Sequence, residues 1–381
     1  MQRDAAHLQS PELAVVNETP APLSRLPEMA VNARFLTRPA TGVDRFGIEL
    51  LGALGAAGEP VGRALIPGPA ELVTPLPAGL QLARSGTQRG HAWEQWALPR
   101  AAGCAPLVNL CNTAPLAREN QLVVIHDAAS VANPGNYSLA FRSWYRVMIG
   151  SVMRRARVVA TVSRFSANAL TQHFGRRRRG IEVIHEGGEH ILREAADPAI
   201  IDRLGLRGRR FVLAVGSHSV NKNFDAVVKA MALLDLPDVM LVAAGGSNSR
   251  VFAGGAAPAA SARMLATGYV SDAELRALYE HAACFAFPSF YEGFGLPPIE
   301  AMCCGCPVVV ADRTALPEVC GSAALYCDPS DPATLAHQIG RLLGSAALRA
   351  EMAEAGRAHA ATLHWGAAAH TFTQVMNHHF G

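Results

Sequence analysis

At 381 residues, half of them hydrophobic and 17% charged, the chain is long enough for two α/β domains of ordinary size, and one domain would be unusually large. No uninterrupted apolar run reaches bilayer-spanning length, and the N-terminus lacks the basic, apolar, small-residue order of a signal peptide; a cytoplasmic protein is expected. The net charge of +3 hides an uneven distribution, with 22 Arg and Lys against 17 Asp and Glu in residues 1–205 and 12 against 14 in the rest. Arg142, Arg146, Arg154, Arg155, Arg157 and the run Arg176 to Arg179 carry the excess. Such a cluster is either a solvated face or a surface for an anionic partner such as a membrane. Without aromatic interleaving or a recognition motif, nucleic acid is not an expected partner. The eight cysteines show no paired metal-ligand spacing and read as small core residues, so no metal site is expected.

Residues 1–28 are polar, proline-bearing and aperiodic, an adaptable or disordered extension. A strand from Met29 to Phe35 leads into Thr41-Gly-Val-Asp-Arg45 and a helix reaching about Leu54, with Gly42 as the residue a ligand would approach. Trp93-Glu94-Gln95-Trp96 falls on a helix, where core packing outweighs contact with a ligand. Strands at Leu122–His126, Val158–Val162 and Ile181–Ile184, interleaved with helices, imply parallel pairing. His126 and Asp127 then stand at the carboxyl end of a strand, the edge where α/β proteins bind ligands. His185-Glu-Gly-Gly-Glu-His190 is not a zinc-protease helix, because the second His comes one residue late and two glycines would break the helix; Glu186 and Gly187 receive no role. Residues 190–210, rich in Arg and Asp, read as a linker.

The second half repeats the plan, with strands at Phe211–Val215, Val239–Ala243, Cys284–Phe287, Val308–Ala311 and Ala324–Tyr326. After the first of these, the turn Gly216-Ser217 delivers Lys222 to a helix start, where an ammonium can meet a diphosphate. Ser271-Asp-Ala-Glu274 is a capping box for a helix ending near His281, Asp331-Pro332 opens another helix, and His364 to Asn377 has the periodicity of a last helix anchored by Trp365. The most informative segment is Phe290-Tyr-Glu-Gly-Phe-Gly-Leu-Pro-Pro-Ile-Glu300. Gly293 and Gly295 permit positive φ and close approach, and Pro297 and Pro298 suit a first helical turn. Free amides at that helix start, flanked by Glu292 and Glu300, suit a ligand carrying phosphate and hydroxyl groups.

The carboxylate pair eight residues apart, followed by Glu300-Ala301, Gly305 and Pro307-Val308-Val309, resembles the retaining family-4 glycosyltransferases of the GT-B fold. The resemblance is strongest from Asp272 to Asp331. It implies an α/β protein of two Rossmann-like domains facing across a cleft, an acceptor-binding one at 29–200 and a nucleotide-sugar-binding one at 201–360, with 361–381 crossing back to the first. By the same resemblance Glu292, His126 and Lys222 are catalytic, and Glu300, Gly293, Phe294, Gly295, Leu296, Gly216, Ser217 and Lys222 hold the donor. Gly42 and Asp127 meet the acceptor. Many relatives have an Arg where this chain has Ser217, which leaves one positive charge where they have two. The implied partners are a nucleotide-diphosphate sugar, with GDP-mannose the leading donor, and a glycan or polyprenyl-diphosphate-linked acceptor in bacterial polysaccharide or O-antigen synthesis. No cofactor and no metal are expected, and attachment to an anionic inner membrane face is. Two rival readings are a nucleotide-sugar epimerase or hydrolase of the same fold and a scaffold without activity.

Overall fold

The computed structural model describes residues 26–58, 61–133, 135, 138–216, 219–246 and 263–381. Thirteen strands form two all-parallel sheets, one ordered β3-β2-β1-β4-β5-β6-β7 and the other β10-β9-β8-β11-β12-β13. The first comprises β1 (Ala30–Asn32), β2 (Gly62–Pro67), β3 (Leu80–Ser85), β4 (Leu107–Asn109), β5 (Gln121–Val124), β6 (Val158–Thr161) and β7 (Glu182–Val183). The second comprises β8 (Arg210–Val215), β9 (Val239–Ala244), β10 (Met264–Gly268), β11 (Cys284–Phe287), β12 (Val308–Ala311) and β13 (Leu325–Cys327). Helices cover both faces, which is why inner strands such as β5, β6, β11 and β12 are buried along their whole length, β11 and β12 as wholly apolar runs. In each sheet the strand order reverses once, between β1 and β4 and between β8 and β11. A crevice opens at such a switch point outside the carboxyl ends of the strands.

Several elements differ from expectation for local reasons. The first strand stops at Asn32, and Arg34–Thr37 is a 3-10 turn, because the Asn32 side chain accepts from the Arg34 amide and draws the chain out of the ladder. The strand expected at Leu122–His126 stops at Val124, and the His126 amide donates to Asn112 Oδ1 at 2.7 Å. β2, β3, β4 and β10 went unpredicted: β2 is bracketed by Gly62 and Pro67, β3 is an edge strand with a largely polar, exposed pattern, and β4 has three residues. Residues 190–210 hold the end of a 3-10 turn (Glu189–Leu192) and a helix (Ala199–Arg203), and β8 begins at Arg210. Residues 1–25 of the proposed extension lie outside the described residues, while Leu26 is buried.

The last helix, Trp365–Phe380, lies against the helix Gly42–Ala56 of the first domain, with Trp365 edge-on to Phe46 at 5.9 Å. The largest apolar cluster therefore runs without a break from Met29 and Phe46 through Trp365 and Phe372 to Phe285 and Phe287. A polar tie also crosses between the domains, Arg45 pairing with Asp272 at 2.8 Å, while Arg193, ahead of β8, pairs with Glu49 at 2.5 Å.

A buried carboxylate organises the carboxyl edge of the first sheet. Glu94, on the helix Gly90–Ala102, accepts from Asn32 Nδ2, Arg34 Nε and Thr113 Oγ1 through one oxygen and meets His91 Nδ1 through the other. Burial alone would raise its pKa, but His91, the Arg34 charge, Thr113 and Asn32 together hold it at about 2. Because the folded pKa is depressed, the stabilisation is complete above the ordinary value of 4.5 and is lost as pH falls through about 2. The shift corresponds to about 3 kcal/mol. Glu94→Gln is expected to lose stability of that order at pH 7 in urea unfolding, with the gap from wild type closing as pH is lowered from 4.5 toward 2.

Candidate active site

The site is built on the switch point of the second sheet. Beyond β8, Gly216 adopts φ +150, and a short 3-10 turn, Val220–Lys222, follows. Asn223 then takes the left-handed conformation, and its side-chain amide donates to the Pro288 and Pro329 carbonyls at 3.0 and 2.7 Å. The Phe290 amide donates to the Asn221 carbonyl at 2.8 Å, so the loops after β8 and β11 are stitched together. Lys222 Nζ consequently reaches Glu292 Oε1 at 2.7 Å and lies 4.9 Å above the Phe287 ring. Gly295, at φ +104, starts the helix Leu296–Cys303, whose prolines occupy its first turn. Phe294 and Leu296 are themselves buried, so in this segment the backbone rather than those side chains faces the cleft.

From the opposite domain, the Gly293 carbonyl accepts from Ser163 Oγ at 2.6 Å and Ser166 Oγ at 3.0 Å. A Cβ added at Gly293 would stand 2.4 Å from the His126 carbonyl oxygen and 2.9 Å from Asp127 Cβ. Glu318 reaches the other way, accepting from the Arg164 and Phe165 amides at 2.7 and 2.9 Å and so capping the helix Arg164–Phe174 across the cleft.

Asp127 is half-buried next to this contact and accepts from the Ala129 amide at 2.8 Å. Burial raises its pKa and Glu292 adds to the rise, opposed by the Ala129 N–H, His126 and Lys222. Gly42 opens the helix Gly42–Ala56 behind Thr41, whose amide and hydroxyl both donate to Asp44 Oδ2. No atom would crowd a Cβ at Gly42 and its φ is not positive, so the fold itself does not require glycine there. Ser217 lies outside the described residues.

Two of the expected site residues are engaged by the protein itself. The His126 ring, expected to face the sugar, is buried: Nε2 meets the Leu110 carbonyl at 2.9 Å and Nδ1 meets Glu186 at 3.3 Å. Burial disfavours the imidazolium, but Glu186 and the Leu110 carbonyl outweigh it, so the pKa is raised. With both nitrogens engaged, His126 offers its backbone rather than its ring to the cleft, and Glu186, given no role from sequence, is its counter-charge. Glu300, placed at the donor, is also not a free acceptor: His190 Nε2 lies 3.0 Å from one oxygen, and the Tyr279 hydroxyl donates to the other at 3.3 Å. Ser163, Ser166, His190, Tyr279 and Glu318 all escaped sequence reasoning. Only the Ser after β6 carried a signal, as a helix N-cap.

Two parallel-sheet domains that meet across a loop of this build have the two-domain GT-B architecture. Residues 197–359 match the family model described as Glycosyl transferases group 1. The O-antigen chain mannosyltransferase B of Escherichia coli is 27% identical over 256 residues, 65% of this chain and 67% of that protein. The serotype-specific mannosyltransferase WbdA of Escherichia coli is 35% identical over 118 residues, 30% of this chain but 14% of that protein. Among solved structures, Anabaena Alr3699/HepE in complex with UDP and glucose has a TM-score of 0.70 at 17% identity, covering 93% of this chain and all of that one.

The glycine contact yields a sharp test. Gly293→Ala is expected to lower the melting temperature, because its methyl overpacks the His126–Asp127 backbone, and at a temperature where it is fully folded to lose at least about 100-fold in transfer rate. Initial rates beside a thermal melt check it; a fully active variant would show that this contact does not set the working geometry.

Proposed function

We propose that the protein transfers mannose from GDP-mannose, with retained anomeric configuration, to a glycan or polyprenyl-diphosphate-linked acceptor in bacterial polysaccharide synthesis. The observation that carries this reading is the Lys222–Glu292 pair, 2.7 Å apart, on the loops after β8 and β11, with Glu292 just ahead in sequence of the helix Leu296–Cys303. Glu292 already matches the Lys222 ammonium, so the pair is a place where an incoming anion would compete for that charge. A donor diphosphate would take the place of Glu292 on Lys222 and would release Glu292 to accept from sugar hydroxyls. The remaining lone pairs of Glu300 would accept from the ribose. Gly42 and Asp127, on the first domain, would face the acceptor. Mannose rests on the named relatives, and retention on the resemblance of the segment from Glu292 to Glu300.

In this reading the leaving group departs as a diphosphate whose growing charge Lys222 offsets, so transfer is expected to survive excess chelator. One preorganised donor of this kind is worth about 3 kcal/mol, so Lys222→Ala should lower kcat by roughly 100-fold or more. Glu292→Ala should mainly lower kcat, and Glu300→Ala should mainly raise the donor KM, because ribose contacts persist through the reaction while sugar contacts tighten in the transition state. Steady-state assays with GDP-mannose decide it. Activity silenced by chelator and restored by Mn²⁺, or near-normal turnover in both glutamate variants, would overturn the reading.

We also propose attachment to an anionic membrane surface through the first domain. Arg154, Arg155, Arg176, Arg178 and Arg179 are exposed, and Leu139 and Val147 stand out to solvent on the helix Leu139–Arg155. Of the expected contact set, Arg154, Arg155, Arg157 and Arg176 to Arg179, two drop out: Arg177 donates to the Val152, Met153 and Ala156 carbonyls, and Arg157 lies over the Phe380 ring. Each remaining basic side chain is worth about 1 kcal/mol at such a surface, enough together for reversible, salt-sensitive binding. Flotation with anionic liposomes should show binding at low salt that is lost when these five residues become Gln, while Arg177→Gln should instead destabilise the fold.

A further inference from the structure

The geometry points to His190 and Trp365 as the positioning pair for Glu300: the indole of the last helix fixes the imidazole tautomer, and the imidazole aims the carboxylate at the donor. The inference rests on the proposed role of Glu300 toward the ribose.

An indole N–H can only donate. Trp365 Nε1 lies 3.2 Å from His190 Nδ1, so Nδ1 must present its lone pair and the ring proton must sit on Nε2. That atom is the one 3.0 Å from Glu300 Oε1. The chain of donors is therefore directional, from Trp365 to His190 to Glu300, and the Tyr279 hydroxyl supports the second oxygen at 3.3 Å. A carboxylate offers about four lone-pair directions. Two are committed here, which leaves two for the adjacent hydroxyls of a ribose. His190 and Trp365 are both buried, so water does not compete for these bonds.

The backbone around His190 is built to hold this alignment. A Cβ on Gly187 would stand 2.4 Å from the Trp365 amide nitrogen, and one on Gly188 would stand 2.9 Å from the Ile299 carbonyl carbon and 3.1 Å from the Glu300 amide nitrogen. The two glycines thus let the loop thread between the helix that carries Glu300 and the start of the last helix. Glu189 Oε1 then accepts from the Trp365 amide at 2.6 Å, and the Gly188 amide donates to the Leu363 carbonyl at 3.3 Å. Trp365 also packs on Phe46, so seating of the last helix on the first domain is transmitted to the donor carboxylate. His190 and Trp365 touch no substrate; they act through Glu300.

The test uses the full-length protein and the nucleoside diphosphate, among GDP, UDP and ADP, that binds the wild type in calorimetry. Trp365→Phe keeps the ring packing and removes the N–H; His190→Leu removes the relay; His190→Gln keeps an amide donor. Loss of one such hydrogen bond is expected to raise the nucleotide Kd and the donor KM roughly tenfold with kcat little changed, and His190→Gln should recover most of the loss. Two-bond ¹⁵N–¹H spectra should show the Nε2–H tautomer at His190 in the wild type and a mixture of tautomers in Trp365→Phe. Weakened binding in Glu300→Ala beside wild-type affinity in both His190→Leu and Trp365→Phe would overturn the positioning pair alone. Unchanged affinity in Glu300→Ala would overturn the ribose assignment and the pair with it. If Trp365→Phe fails to fold, the contrast between His190→Leu and His190→Gln decides, and equal affinity in those two refutes the relay.

Discussion

The contact on which the architecture turns is the one between Gly293 and the backbone of His126 and Asp127. A loop from the second domain meets the carboxyl end of a strand from the first at a separation that leaves no room for a methyl group. Its carbonyl is taken by two serine hydroxyls at the start of the helix Arg164–Phe174. Neither domain alone places these atoms. Because both sheets are parallel and each reverses its order once, the carboxyl ends of their strands open toward a common cleft, and the loops after β5, β6, β8 and β11 converge there.

Around that contact the charges divide into those that face the cleft and those neutralised behind it. Lys222, Glu292 and Asp127 face it. Behind them His126 is matched by Glu186, Glu94 by Arg34, and Arg45 by Asp272. The first two are largely buried and cost desolvation, while Arg45 and Asp272 are partly exposed at the domain junction. Here each joins segments far apart in sequence at the carboxyl edge of the first sheet or at the domain junction. Lys222 and Glu292 are instead paired with each other, across the loops after β8 and β11.

What could be read in the sequence was local. The capping box at Ser271–Glu274, the helix start at Gly295 with its prolines, and strands β11 and β12 followed from residues within a few positions of one another, and they lie where the spacing put them. What could not be read depends on pairing across the chain. His190 and Glu300 are 110 residues apart, and Asn32 and Glu94 are 62 apart. A His in a glycine-rich turn gives no sign of its partner, so Glu186 and His190 had no visible role. β3 was hidden for a different reason: an edge strand with polar, exposed positions lacks the apolar run that marks a buried one. The inward turn of the His126 ring was invisible because a strand-end histidine reads the same whichever way its side chain points.

Glu318 belongs to one domain and the helix it caps to the other. Opening the cleft is therefore a separation of charge, in which a carboxylate leaves the positive end of a helix dipole and two backbone amides return to water. Such a junction behaves as a detent on the hinge rather than as a glue. Its resistance falls off over a short distance and is weakened by dissolved salt. Any parting of the two domains at this junction would thereby be sensitive to the ionic strength of the surrounding solution, although the detent is built from residues other than Lys222 and Glu292.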